Sequence, residues 1–349
     1  MDMSRGHQGR CGRPNAVTDP SEVPSINCTS YRKWEVKSGI PLSSLWGLCQ
    51  RVGARKHKRW VKPLLSNKQI AIGHMHRKGG TGVVADDMYN WVHVDEKWFY
   101  VMKDKRGIYL HPEEYAPKPP RAQNKQFITK VMLLTAVARP RMISDGVRFD
   151  GNIDMWPIAD TVAATRSSKN CKKGTMMLKP AMVTADRYKE LMIDKVIPAI
   201  KARMSVPPGH TIFVQQDGAK PHTDTGGGVM EAIQATAGDS TILETQPANS
   251  SDLNVNELGF FHSIKQLKED VGVSSSEDLV EDTMGAFDVY PRKTLERVWQ
   301  SLFAVLGEVL DCKGDNSYKL PHLGKENLGR AGKRPVNGRV DEEKYRVGK

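Results

Sequence analysis

Regular alternation of apolar and polar residues begins at Trp91. WVHVDEKWFYVM predicts a strand, KDKRG (Lys103–Gly107) a turn and IYL a returning strand. FITKVMLLTAVA (Phe127–Ala138) predicts a third, strongly apolar strand, and VRFDGNIDMWPI a hairpin-like segment with glycines. RSSKNCKKG (Arg166–Gly174) reads as a basic surface loop. The helical period then takes over: Tyr188, Leu191, Met192 and Val196 share one face of a helix that starts after Thr184 and ends near Pro198. HTIFVQQD (His210–Asp217) is a fourth strand, GGGVMEAIQATAG a short helix, TILETQ (Thr241–Gln246) a fifth strand and NVNELGFFHSIKQLKED another helix. Residues 277–311 are helical, and a basic tail follows. Antiparallel strands followed by alternating helices and strands predict an α/β fold, a mixed sheet with helices packed on it.

Before this region the texture differs. Residues 1–28 are rich in Gly, Pro, Ser and Asn and predict a disordered arm, in which GRCGRP sets Arg10 and Arg13 around a turn. Arginines on such an arm fit the DNA minor groove, although a plain tail has the same composition. In residues 29–52 a short helix ends near Lys37, Gly39 supplies a turn and Pro41 suits a first helical position. Leu42, Leu45, Leu48 and Cys49 then form a helical stripe. Two short helices around a glycine turn are a helix-turn-helix candidate, with Ser43, Ser44 and Gln50 on the recognition helix; an ordinary helical hairpin has the same pattern.

Charge favours the DNA reading. The chain of 349 residues carries a net +12, distributed unevenly. Residues 1–90 hold 15 Lys/Arg against 6 Asp/Glu, residues 91–320 hold 29 against 30, and the tail from 321 holds 8 against 4. Basic ends on a near-neutral centre suit a polyanion partner. RKHKRWVK concentrates Arg55, Lys56, Lys58, Arg59 and Lys62, a run that can hold phosphates or serve as a nuclear import signal. At 39% apolar and 26% charged residues the chain is globular rather than disordered. No apolar run approaches the roughly 20 residues of a membrane span, and the N-terminus has no signal-peptide pattern. Five scattered cysteines without a CxxC pair argue against a disulfide scaffold or cysteine-rich zinc site and suit a reducing compartment.

Three carboxylates stand out. Asp95 alternates with Trp91 and His93, opposite the packed face of Val92 and Val94. Asp217 ends the fourth strand, at an edge where ligands of mixed sheets gather. Glu257 lies in the first turn of a helix and shares a face with Phe260, Phe261 and Ile264. Converging carboxylates repel one another unless cations occupy the site. Hard divalent ions meet that need, and two Mg²⁺ about 3.5–4 Å apart serve phosphodiester displacement. Each residue also has a plainer reading: Asp95 in a charged run with Glu96 and Lys97, Asp217 as a turn cap, and Glu257 in a capping box with Asn254. Lys220 and His222 are placed to approach a phosphate or leaving group, or are polar surface. Asp252 would shape the start of the helix.

HVDEKWFY (His93–Tyr100), QQDGAKPH (Gln215–His222) and SSDLNVNELGFF (Ser250–Phe261) resemble the three catalytic blocks of mariner-like DNA transposases, particularly the plant-type branch. KVMLLTAVARPR, FDGNIDMWPI, KVIPAI and GDNSYKLPHLGKENL extend the resemblance over residues 30 to 328 or thereabouts. It implies a ribonuclease-H-like core whose three acids bind Mg²⁺ or Mn²⁺. Asp95 falls on the first acid, Asp217 on the second after 121 intervening residues, and Glu257 on the third after 39 more. The branch usually carries Asp at that third position, and proline where Ser251 stands. The family's two helix-turn-helix units joined by an AT-hook-like arm are matched here by GRCGRP and one unit, residues 30–52.

The organisation expected is therefore a basic arm (1–28), a helix-turn-helix module and linker (29–90), a ribonuclease-H-like catalytic domain with C-terminal helices (91–311) and a basic tail (312–349). The resemblance implies cut-and-paste movement in the nucleus: cleavage at transposon terminal repeats, strand transfer into a TA target and a homodimeric assembly. Its departures carry a second expectation, an inactive transposase remnant that binds DNA.

Overall fold

The computed structural model describes residues 41–51, 75–77, 83–85, 87–101, 115, 128–143, 146, 148–167, 171–204, 210–223, 228–247, 250–268, 275–312, 318–319 and 339–340. Arg10, Arg13, Arg55, Lys56, Lys58, Arg59 and Lys62 lie outside these residues, as do the helix ending near Lys37 and the IYL strand. The chain divides into two compact units, Met1–Val61 and Lys62–Lys349.

In the first unit, helix α1 (Leu42–Arg51) begins just after Pro41, whose carbonyl accepts from the backbone N–H groups of Ser44 and Leu45. Leu45 is fully buried, whereas Ser43 is exposed and Ser44 half-buried. Gln50 lies in the same helix.

The second unit contains short strands β1 (Met75–Arg77) and β2 (Val83–Ala85), then β3 (Trp91–Tyr100), β4 (Lys130–Ala138), β5 (Arg141–Met142), β6 (Arg148–Phe149), β7 (Asn152–Ala163), β8 (Met176–Pro180), β9 (Ile212–Gln216), β10 (Thr241–Thr245) and β11 (Arg339–Val340). Six of them form the main sheet in the order β10-β9-β3-β4-β7-β8. β3, β4, β7 and β8 pair antiparallel in sequence, while β9 joins β3, and β10 joins β9, in parallel. The basic segment after Arg166 falls between β7 and β8, and its described residues are exposed apart from a half-buried Cys171. At the β6–β7 turn Gly151 has φ +91°, and a Cβ there would collide with the Ala138 carbonyl oxygen and Leu295, so only glycine fits.

Alternation sorts β3 between two cores. Val92 and Val94 join Leu134, Ala136, Ile153 and Val214 beneath α2 (Ala185–Leu191), α3 (Ile197–Arg203) and α4 (Val229–Ala237). Trp91 and Phe99 join Leu133, Val137 and Met155 beneath α5 (Phe261–Leu267), α6 (Ser276–Asp288) and α7 (Arg292–Asp311). The face shared by Trp91, His93 and Asp95 is thus packed as well, which the apolar pattern of β3 alone does not tell. Burying apolar side chains on both faces, at roughly 25 cal/mol per Å², anchors the first half of β3, the strand that carries Asp95.

The helix after Thr184 continues past its expected end. Thr184 caps α2 by accepting from the Arg187 N–H, and Tyr188, Met192 and Val196 are buried on one face. A π-helical turn (Met192–Val196) links α2 to α3, with the Ile197 N–H reaching back to the Met192 carbonyl. That wide turn sets Pro198 at the start of α3, where its missing N–H costs nothing, so the helix runs on to Arg203 instead of stopping. Among the described residues no helix is long and apolar enough to cross a membrane.

Candidate active site

Each of the three carboxylates is carried by a different piece of backbone. Asp95 lies midway along β3, opposite Thr135 of β4. Its Oδ1 accepts from the following Glu96 N–H at 2.8 Å. Asp217 immediately follows β9, which runs parallel to β3 with His93 opposite Gln215. Its Oδ1 accepts from the Ala219 N–H at 3.0 Å, a local turn that leaves the carboxylate 42% exposed.

Glu257 sits in a second π-helical turn, Asn256–Phe260, which leads into α5. Two asparagines, Asn254 and the unanticipated Asn256, pin this turn to β3. Asn256 Nδ2 donates to the His93 carbonyl at 3.0 Å, and Asn254 Nδ2 to the Val94 carbonyl at 3.4 Å. The Val255 N–H donates to His93 Nδ1 at 3.1 Å, and the Asn256 N–H to Asn254 Oδ1 at 2.9 Å. Asn254 therefore makes an Asn turn rather than a capping box, and Glu257 is free of the helix start. Its two oxygens instead accept from Lys97 Nζ at 2.7 and 2.8 Å. Gln215 Nε2 donates to the Leu253 carbonyl at 3.0 Å, tying β9 to the same segment. Asp252 accepts from the Tyr318 hydroxyl at 3.3 Å, away from any role at the acids.

The electrostatics show that the three acids share one field. Burial pushes the Asp95 carboxyl up from 3.8 to about 8, reinforced by the charges of Glu96, Glu257 and Asp217. Asp217 moves the other way. Burial alone would raise it, but the His222 hydrogen bond and the Ala219 N–H bring it below the usual range.

His222 is not the surface or phosphate-facing group its loop position suggested. It is buried, stacked on the Tyr188 ring at 4.0 Å between centroids, with Nε2 3.1 Å from Glu96 Oε1 and Nδ1 against Asp217 Oδ1. Both ring nitrogens face carboxylates, so neither reaches outward. Burial would depress this imidazolium, but bonds to Asp217 and Glu96 and their charges outweigh it and lift it from 6.5 to about 10. Tyr188 in turn donates to Gln216 Oε1 at 2.7 Å, and burial pushes its phenol well above the usual range. Lys220, by contrast, is exposed two residues before His222.

Glu96 was the signal that sequence reasoning could have used. Alternation places it on the buried Val92–Val94 face, where a carboxylate needs a cationic partner. Asp217 and Glu96 thus bracket His222, and Lys97 holds Glu257, so the acids meet in charge while two of them lean on cations of this chain. Among the described residues no group of three or more His, Cys, Asp or Glu side chains is gathered closely enough to hold a metal ion as it stands. The donor chemistry still fits hard divalent ions: all three are carboxylates, and a cation would offset both the burial that chiefly raises Asp95 and the repulsion from Glu96, Glu257 and Asp217 that adds to it.

No protein-family model and no curated protein matches the sequence. Solved structures do. A Mos1 mariner paired-end complex with Mn superposes with a TM-score of 0.58 at 16% identity, covering 91% of this chain and 83% of that one. The Mos1 strand transfer complex gives 0.56 at 17% identity over 84% of this chain and 76% of that one. A Mos1 transposase paired-end complex with the left transposon end gives 0.55 at 17% identity over 83% and 75%. With its mixed six-stranded sheet flanked by helices, the chain has the ribonuclease-H-like fold found in those structures.

Proposed function

We propose that this chain is a mariner-like DNA transposase of the plant-type branch, cutting at transposon ends and joining them to target DNA with Mg²⁺ or Mn²⁺. The observation that carries the reading is that the charges of Asp217 and Glu257 both act on the buried Asp95, three residues that fall where the motif resemblance expects catalytic acids. Likeness to Mos1 paired-end complexes with the left transposon end, with Mn and with Mg, and to the Mos1 strand transfer complex, supports it.

Asp95, Asp217 and Glu257 would hold the ions, two of them in this reading. When bound, divalent ions stabilise charge on the phosphoryl oxygens and make the attacking oxygen more acidic. In the cutting step a water oxygen bonds to phosphorus and the 3′ oxygen leaves, taking up a proton. In the joining step that 3′ hydroxyl loses its proton and bonds to a target phosphorus, displacing the target's own 3′ oxygen. No covalent enzyme intermediate is needed; the protein contributes position and charge. The β3–β9 pairing and the Asn254–Asn256 clamp keep the acids in place, and the Glu96–His222 pair orients Asp217.

DNA recognition falls to the basic N-terminal region. Ser43, Ser44 and Gln50 on α1 would face bases, with Arg10 and Arg13 in the minor groove. Arg55, Lys56, Lys58, Arg59 and Lys62 would neutralise phosphates, and Lys220 would contact the strand at the site. Two transposon ends call for two equivalent surfaces, hence a homodimer acting in the nucleus.

The test is a Mg²⁺- or Mn²⁺-dependent cleavage and strand-transfer assay on DNA bearing the flanking terminal repeats. Asp95→Asn and Asp217→Asn should each abolish both steps. Cutting that persists unchanged in both variants refutes the assignment.

A further inference from the structure

Lys97 has no part in the chemistry above, yet it is bonded to both oxygens of Glu257. It lies two residues beyond Asp95 on β3, so alternation brings it to the same face as that acid. The Phe261 ring, in the helix that follows Glu257, lies 5.7 Å from the ammonium. Each partner in the pair is about a third exposed, at 30% and 31%, so the link is accessible and reversible rather than sealed in a core.

We propose that Lys97 is an internal counter-cation that competes with the divalent ion for Glu257 and thereby sets the metal affinity of the site. The inference rests on the metal-binding reading of the three acids. An ammonium seated between both carboxylate oxygens fills the side on which a metal would chelate them, so bidentate binding of a metal by Glu257 has to displace Lys97. The same strand thus supplies a metal ligand at Asp95 and, one pleat further on, a built-in rival for the third ligand. Lys97 is a positioning residue: it acts through Glu257 and touches no reacting atom. Glutamate reaches further than aspartate by one methylene, which lets the third acid meet Lys97 without leaving the π-helical turn that anchors it.

Mn²⁺ binding, followed by the electron paramagnetic resonance signal of the free ion, tests this without relying on catalysis. The full chain is compared with Lys97→Met, Glu257→Gln and the double variant, with Lys97→Arg and Asp95→Asn alongside. Lys97→Met should bind Mn²⁺ about five-fold more tightly, the scale of a part-exposed ion pair, and the gain should vanish in the Glu257→Gln background. Lys97→Arg, which keeps the pair, should stay near the wild-type affinity. An equal gain in both backgrounds would mean that Lys97 acts only as bulk positive charge and would overturn the proposal. So would unchanged or weaker binding by Lys97→Met while Asp95→Asn still abolishes it. Mn²⁺ binding absent from every protein, wild type included, would overturn the metal-site reading itself along with the competition.

Discussion

Replacing Asp95 by asparagine should stabilise the protein in EDTA, and by an amount that grows with pH. The Asp95 carboxyl lies near 3.8 in an unfolded chain and about 8 in the fold, raised by burial and then by Glu96, Glu257 and Asp217. Because the folded state holds this proton more tightly, the stability tied to it is complete below pH 3.8. It declines as pH rises through the interval up to about 8. Within that window one group contributes a slope of about 1.4 kcal/mol per pH unit. Asparagine cannot ionise, keeps an oxygen for the Glu96 N–H and removes the slope. The stability difference between Asp95→Asn and wild type should therefore widen by roughly 3 kcal/mol between pH 5 and pH 7. Urea titrations of both proteins at the two pH values, followed by tryptophan fluorescence in EDTA, measure it. A difference that stays constant across the two pH values would refute the placement of Asp95 in a buried field of like charges.

Three further outcomes follow from the same geometry. His222→Ala leaves the Glu96 carboxylate buried without its partner and should cost about 3 kcal/mol in urea unfolding at pH 7, with the loss shrinking toward pH 10 as wild-type His222 gives up its own proton. Asn256→Ala removes the bond to the His93 carbonyl and should lower stability by about 1 kcal/mol while reducing cleavage by far more than that loss explains; equal activity per folded molecule would show that the clamp does not position Glu257. Gly151→Ala forces a side chain against Ala138 and Leu295 at a φ of +91° and should lower the melting temperature by several degrees, which a thermal scan reads directly.

How far the site could be read beforehand varies residue by residue. Asp95 and Asp217 were visible because each falls at a definable place in a strand pattern. Lys97, Glu96 and Asn256 were not singled out, although alternation already put Glu96 on a buried face. His222 was misjudged because a loop position says nothing about what folds over it. Its partners lie on β3 and in α2, and only close packing brings Glu96 and Tyr188 to the ring. Pro198 misled in the same manner: local propensity ends a helix there, but a π-helical turn re-registers the backbone so that the proline begins one.

By itself the sequence determined where β3, β4, β9 and β10 fall, the side of β3 on which Asp95 lies and the basic character of the N-terminal region, but not the edge strand β8. These depend on periodicity and charge, which act between near neighbours. Tertiary structure alone decided that both faces of β3 are covered, that Glu257 reaches Lys97 instead of capping its helix, and that His222 lies between two acids. Those outcomes join residues as far apart as 160 positions, as the Lys97–Glu257 pair does. Hydrophobic patterning specifies which face must be buried but carries no information about what buries it, so charge partners across the sheet are settled only when the layers close.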